Sequence, residues 1–314
     1  MPAVMGESVR YAVGAHETFV FRSTWLKKGM DAVRADPAVF SRDIAPVILG
    51  VGKNMVRSIR FWCLATQLVE EQQSPDGRKI LKPTAAGIRL LGDDGWDPYL
   101  DDMGSLWLLH WLLATNAQRA SAWYHLFSGY PSPQFTRKHL FSFLQHIVER
   151  HGQQVASSSL ERDVDCFIRT YLANRQPHVL PEVALECPLT ELHLIWVTED
   201  SGWFQFHIGA KDTLPVEVFG YALMSYASSS LRTRRQMSIS ECLYGPGSPG
   251  QVFRLDEVAL VDLIEKLLPR VDRMLELAEV AGVTHLFFRT EDLSELCMVA
   301  QSLLNNYYHD ARES

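Results

Sequence analysis

The sequence predicts a mainly α-helical protein with small β-hairpins, an α+β class, and three observations carry that expectation. Apolar residues recur at helical spacing through most of the chain. Ser74-Pro-Asp-Gly77 separates two short runs in the manner of a hairpin turn, and Ser105 to Ala114 is almost entirely apolar, as a helix buried on all sides is.

Residues 24–36 (TWLKKGMDAVRAD) place Trp25, Met30 and Val33 on one helical face, and Asp36-Pro37 ends that helix because the residue before proline is pushed out of the α region. Pro37 suits the first turn of a second helix through Val39, Phe40, Ile44, Val47 and Ile48, which stops at Gly50. From Gly52 a third helix carries Lys53, Arg57 and Arg60 at i, i+4 and i+7 on one face, with Met55, Ile59 and Trp62 on another. Leu68-Val-Glu-Glu71 and Arg78-Lys-Ile-Leu-Lys82 flank the 74–77 turn, where Gly77 supplies positive φ. Three helices and a basic hairpin make the order of a winged helix-turn-helix, expected over residues 1–92.

The remainder, 93–314, reads as a helical domain with a small hairpin near 192–208. Asp93, Asp94, Asp97, Asp101 and Asp102 precede the apolar run, which holds His110 and is expected as a central core helix. Residues 136–150 and 157–172 are helical, with Thr136 as cap. Alternating stretches at 192–197 and 203–208 flank Thr198-Glu-Asp-Ser-Gly202, so helix, helix, hairpin is compatible with a second winged-helix-like unit lacking the basic stripe. Val216 to Ser229 is a helix, Leu231-Arg-Thr-Arg-Arg-Gln236 a basic loop, and the chain from Ser238 mainly helical, with 254–268 amphipathic and 274–280 continuing it past Pro269.

Composition narrows the function classes. At 314 residues and 47% hydrophobic the chain can bury a sizeable core. No apolar stretch approaches the roughly 20 residues that span a bilayer, and the N-terminus has no basic start followed by an apolar run, so no membrane partner and a cytoplasmic location are expected. Five cysteines without a CxxC pair support neither disulfides nor a zinc finger. Residues 1–90 carry 13 Lys and Arg against 8 Asp and Glu, a net +5 in a chain of −7, which leaves −12 elsewhere. A basic module on an acidic remainder points to DNA as partner.

The candidate DNA contacts are Lys53, Asn54, Arg57, Ser58 and Arg60 on the third helix, Arg78, Lys79 and Lys82 on the wing, and Arg232, Arg234 and Arg235 on the loop. Lys and Arg reach phosphates and Arg also reads guanine edges, but basic residues on one helix face equally serve as a solvated surface. Asp97, Asp101 and Asp102 have the oxygen ligands Mg²⁺ or Mn²⁺ needs, or else cap the apolar helix after them. His16 and Glu17 are the other cluster of reactive types, with a cap and a backbone hydrogen bond as the structural alternative. HExxH and GxSxG are absent, no GxGxxG follows a strand, and the turn-rich Gly245 to Gly250 lacks the GK[ST] of a phosphate loop, so no nucleotide cofactor is expected.

Three segments, HETFVFRSTWLKKGMDAV from His16, LGVGKNMVRSIRFWCLATQLVE from Leu49 and DPYLDDMGSLWLLHWLLA from Asp97, together with SPGQVFRLDE from Ser248, resemble the SspB-like family of unknown-function domains encoded beside bacterial DNA phosphorothioation genes. The resemblance implies a subunit that nicks DNA to assist sulfur incorporation into its backbone in anti-phage defence, beside a cysteine desulfurase and an ATP-using sulfur-transfer subunit. It brings no catalytic residue with it. The alternative is a non-catalytic winged-helix adaptor or transcriptional regulator. The residues themselves favour binding, and the resemblance raises nicking.

Overall fold

The computed structural model describes residues 11–173, 187–290 and 292–313, so the first ten residues of the expected N-terminal domain lie outside it. Contacts divide the chain into two compact units: the larger ends at Leu126 and resumes over Ser132–Phe206, and the smaller takes Phe127–Pro131 and the chain from His207. Residues 11–126 thus lie together in the larger unit. The reason is the packing of the N-terminal helices against the central apolar run, since Gln67 Nε2 donates to the Leu112 carbonyl at 2.6 Å and Asn116 Nδ2 to those of Leu64 and Ala65 at 3.1 and 3.0 Å.

The larger unit begins with α1 (Ser23–Ala35), a 3-10 turn (Val39–Ser41), α2 (Ala45–Leu49), α3 (Lys53–Ala65) and the antiparallel pair β1 (Val69–Gln73) and β2 (Lys79–Pro83). The expected second helix over 39–48 is broken in two. Pro46 has no N–H to give an α-helical ladder and sits at the start of α2, where none is needed. The break also turns part of the expected apolar face outward: Val39 is buried, but Ile44, Val47 and Ile48 are exposed, and Ala45 and Leu49 are buried in their place. α1 and α3 meet at Gly29, where a Cβ would lie 2.5 Å from Cys63 Sγ and 2.8 Å from Ile59 Cγ2, so only glycine permits the approach.

Next come α4 (Ala85–Leu91), capped by Thr84, and α5 (Met103–Ala114), capped by Asp102. Every residue of α5 from Gly104 to Ala114 is buried, as its composition predicts, and His110 Nδ1 lies 2.9 Å from the Tyr171 hydroxyl inside the core. The unit is completed by α6 (Ser121–Ser128) as far as Leu126, β3 (Gln134–Phe135), α7 (Arg137–Arg150), α8 (Ser157–Tyr171), β4 (Ile195–Val197) and β5 (Phe204–Phe206), the three strands ordered β3-β5-β4.

The smaller unit contains α9 (Val216–Ser230), β6 (Gln236–Ser238), α10 (Ile239–Tyr244), α11 (Pro249–Phe253), α12 (Glu257–Leu267), β7 (Leu275–Val280), β8 (Val283–Phe288) and α13 (Ser294–Glu313), with strand order β6-β8-β7. Residues 274–280, expected as helix, form a strand from Leu275. Ala281 and Gly282 both adopt positive φ, 52° and 80°, which makes the two-residue turn that closes β7 onto β8. The β3-β5-β4 and β6-β8-β7 sheets thus share one topology without visible sequence repetition. No helix among the described residues is long and apolar enough to cross a membrane. Cys63, Cys166, Cys187 and Cys242 are buried thiols and Cys297 is exposed.

A candidate nucleic-acid interface

α3 buries Val56, Ser58, Ile59 and Trp62 and turns Lys53, Asn54 and Arg57 to solvent. Lys53 and Arg57 lie on the face that the i, i+4 spacing assigns them, with Asn54 beside them. Ser58 does not: it is 0% exposed, and its hydroxyl has no hydrogen-bond partner among the described residues. One position beyond Arg57 on a helix is a rotation of about 100°, which carries Ser58 off the outer face and into the core. It cannot touch DNA from there. Arg60 is half-buried, because Arg60 Nη2 donates to Glu71 Oε1 on β1.

The hairpin separates the three wing residues. Arg78 belongs to the turn, where its Nε pairs with Asp76 at 3.1 Å and Gly77 takes φ 80°. Lys79 pairs in register with Gln73 and Lys82 with Glu70. Residues three apart on a strand point to opposite faces, so Lys79 shares the face of Glu71 and Lys82 does not. Arg119, in the connection between α5 and α6, also donates to Glu71 through Nη2. It is an outer-face cation that no local spacing connects to α3.

His16 and Glu17 occupy a turn ahead of α1, and neither caps that helix, whose N-cap is Arg22. His16 is 1% exposed and its Nε2 lies 2.8 Å from Asp163 Oδ1 on α8, while its Nδ1 accepts from the Thr18 amide at 3.0 Å. With Nδ1 accepting, Nε2 carries the proton and donates to Asp163. Both nitrogens are committed inside the core, which makes the ring a structural staple. Glu17 Oε1 receives Arg57 Nη1 at 3.4 Å at the surface. Glu17 and Thr18 hold left-handed φ of 51° and 67°, a costly conformation for a β-branched Thr.

The acidic cluster is architectural as arranged. Asp97 is 8% exposed, and its two oxygens accept the backbone amides of Asp101 and Asp102, each at 3.0 Å. Asp102 Oδ1 accepts the Ser105 amide at 3.1 Å as the cap of α5. Among the described residues, no three His, Cys, Asp or Glu side chains converge to hold a metal ion.

In the smaller unit, Arg232, Arg234 and Arg235 are exposed on the turn between α9 and β6. Arg234 Nη1 pairs with Glu241 Oε1 at 2.7 Å, a carboxylate that also closes the capping box of α10 with Ser238. Arg232 sits at φ 53°.

A family model described as Protein of unknown function (DUF4007) matches residues 13–308. A magnesium ion-bound crystal structure of SspB superposes with TM-score 0.85 at 32% identity, over 96% of this chain and 89% of that one. A second SspB crystal structure gives the same score and identity over 98% and 91%. No curated protein sequence matches.

Proposed function

We infer from one premise, that the chain belongs to the DUF4007 family, that it is a DNA-binding subunit of a DNA phosphorothioation system. Its N-terminal helices and hairpin act as a winged helix on duplex DNA, with a cysteine desulfurase and an ATP-using subunit as protein partners. The similarity to SspB supports the system. The observation that supports binding is the outer face of α3, where Lys53, Asn54 and Arg57 are exposed together beside the hairpin that carries Lys79. Such a face gives phosphate contacts, and Asn and Arg are also the side chains that read adenine and guanine edges.

Arg57→Ala tests this. Its side chain is 66% exposed and its pairing with Glu17 is long, so its loss leaves the fold intact. Removing one phosphate contact lowers the steepness of log K against log salt by about 1. Unchanged affinity and slope in fluorescence anisotropy with a labelled random-sequence duplex would remove α3 as the DNA-binding element.

Nicking is the second reading, favoured by the magnesium ion-bound state of an SspB relative. The 97–102 aspartates do not fit a divalent ion as they stand, since both oxygens of Asp97 and one of Asp102 hold backbone amides and no three such side chains converge among the described residues. Supercoiled plasmid incubated with the purified protein and Mg²⁺ or Mn²⁺, against EDTA, separates the readings: open circles formed only with metal establish a nickase, and none with unimpaired DNA binding establishes an adaptor.

A further inference from the structure

Glu71 receives two arginines from different parts of the larger unit. Arg60 Nη2, from α3, donates to Oε1, and Arg119 Nη2, from the connection before α6, donates to Oε2. Arg119 is held at its backbone: its amide donates to Asn116 Oδ1 at 3.2 Å, and Asn116 Nδ2 is bonded to the carbonyls that end α3. Lys79 stands on the same face of the hairpin and adds a third positive charge near the carboxylate. Burial works to raise the Glu71 carboxyl, but the Arg119 hydrogen bond and the charges of Arg119, Arg60 and Lys79 outweigh it and hold it below the usual range. Three cations thus face one carboxylate, a surplus of two charges.

The layering of the group matters as much as its charge. The Glu71 side chain is 17% exposed, those of Arg60 and Arg119 39% and 41%, so the carboxylate lies inward and the guanidiniums face out. Ion pairs this exposed contribute little to stability, and one arginine would neutralise Glu71. A carboxylate and a phosphodiester each offer two anionic oxygens, and guanidinium forks match both. Two arginines aimed at the two oxygens of a single acceptor are already in the arrangement a phosphate takes.

We propose that Arg119 is a further backbone-phosphate contact of the DNA-binding face, and that Glu71 is an exchangeable stand-in which keeps Arg60 and Arg119 ordered until a DNA phosphate displaces it between them. This rests on the DNA-binding reading of α3. Glu71 sets an affinity threshold, because a phosphate must break two ion pairs before it gains two. Arg119 extends the contacted surface from α3 across the hairpin face to the start of α6, so the backbone is followed beyond the groove that α3 enters.

The test uses the full chain and a labelled random-sequence DNA duplex, with affinity measured by anisotropy across a range of sodium chloride concentrations. Arg119→Gln is expected to weaken binding at low salt by on the order of tenfold and to lower the salt slope by about 1. Arg119→Lys keeps a point charge and should keep the slope. Glu71→Gln should tighten binding more than Glu70→Gln does, the latter being an exposed neighbour on the opposite face of β1 that reports the general effect of removing one negative charge. Melting temperatures by circular dichroism accompany each variant. If Arg119→Gln leaves affinity and slope unchanged while Arg57→Ala weakens binding, this proposal fails and the α3 reading stands. If neither variant has an effect, the α3 reading fails with it. Weaker binding by Glu71→Gln at an unchanged melting temperature overturns the stand-in role.

Discussion

Asp163→Ala removes the acceptor on which the N-terminal segment is hung. Asp163 is 1% exposed and receives the His16 Nε2–H at 2.8 Å, the Gly14 amide at 2.9 Å and, at 3.4 Å, the Tyr11 hydroxyl. A hydrogen bond to a charged group nets about 1.5–3 kcal/mol, but these share one acceptor and do not add. Deleting a buried carboxylate that three donors share costs about 3–5 kcal/mol. Release of the left-handed turn at Glu17 and Thr18 returns about 1–2 kcal/mol of that, since the turn is held by the His16 Nδ1 bond to Thr18 N. The net expectation is a loss of about 1–4 kcal/mol. Urea denaturation read by tryptophan emission suits the measurement, because all eight tryptophans lie in the larger unit. The midpoint should fall with little change in slope. A loss below about 1 kcal/mol would show that His16 and Asp163 do not anchor the segment, and the account of both residues would be wrong.

Three other perturbations have defined outcomes. Ser58→Ala should leave stability unchanged or raise it by about 1 kcal/mol, because it removes a buried hydroxyl without a partner among the described residues, and should leave DNA affinity unchanged; a weakened complex would restore Ser58 as a contact. His125 is pushed down from 6.5 to about 4 by burial and by the charge of His151, so below 6.5 the unfolded chain takes up a proton that the folded chain refuses. Stability present above pH 6.5 is therefore lost as pH falls to about 4, by about 1–2 kcal/mol after discount for the partly exposed ring, and a His125→Gln variant should lack that part of the pH dependence in urea titrations. Asp97→Asn should cost about 1–2 kcal/mol by leaving one of two backbone amides without its carboxylate oxygen, and should leave DNA affinity and any plasmid nicking intact. Nicking abolished at an unchanged melting temperature would return Asp97 to a metal site.

What the sequence by itself determined were the features whose causes lie within one or two turns of chain. The basic face of α3, the Gly77 turn, the buried α5 with its Asp102 cap, and the Thr136 cap are all legible there, since helical spacing, φ freedom and capping act over three or four residues. The same local rules, applied without knowledge of partners, set Ser58 among the exposed residues, joined 39–48 into one helix through Pro46, and continued a helix through 274–280 where Leu275, Leu277 and the Ala281-Gly282 turn belong to a hairpin. Only the tertiary structure decided how far around α3 the core reaches, and hence that Ser58 is buried. It alone brought Glu71 to Arg119, 48 residues away, and His16 to Asp163, 147 away. Pairings at such separations arise from how helices and hairpin pack, and packing depends on the volumes and shapes of many side chains at once, so no spacing along the chain encodes them.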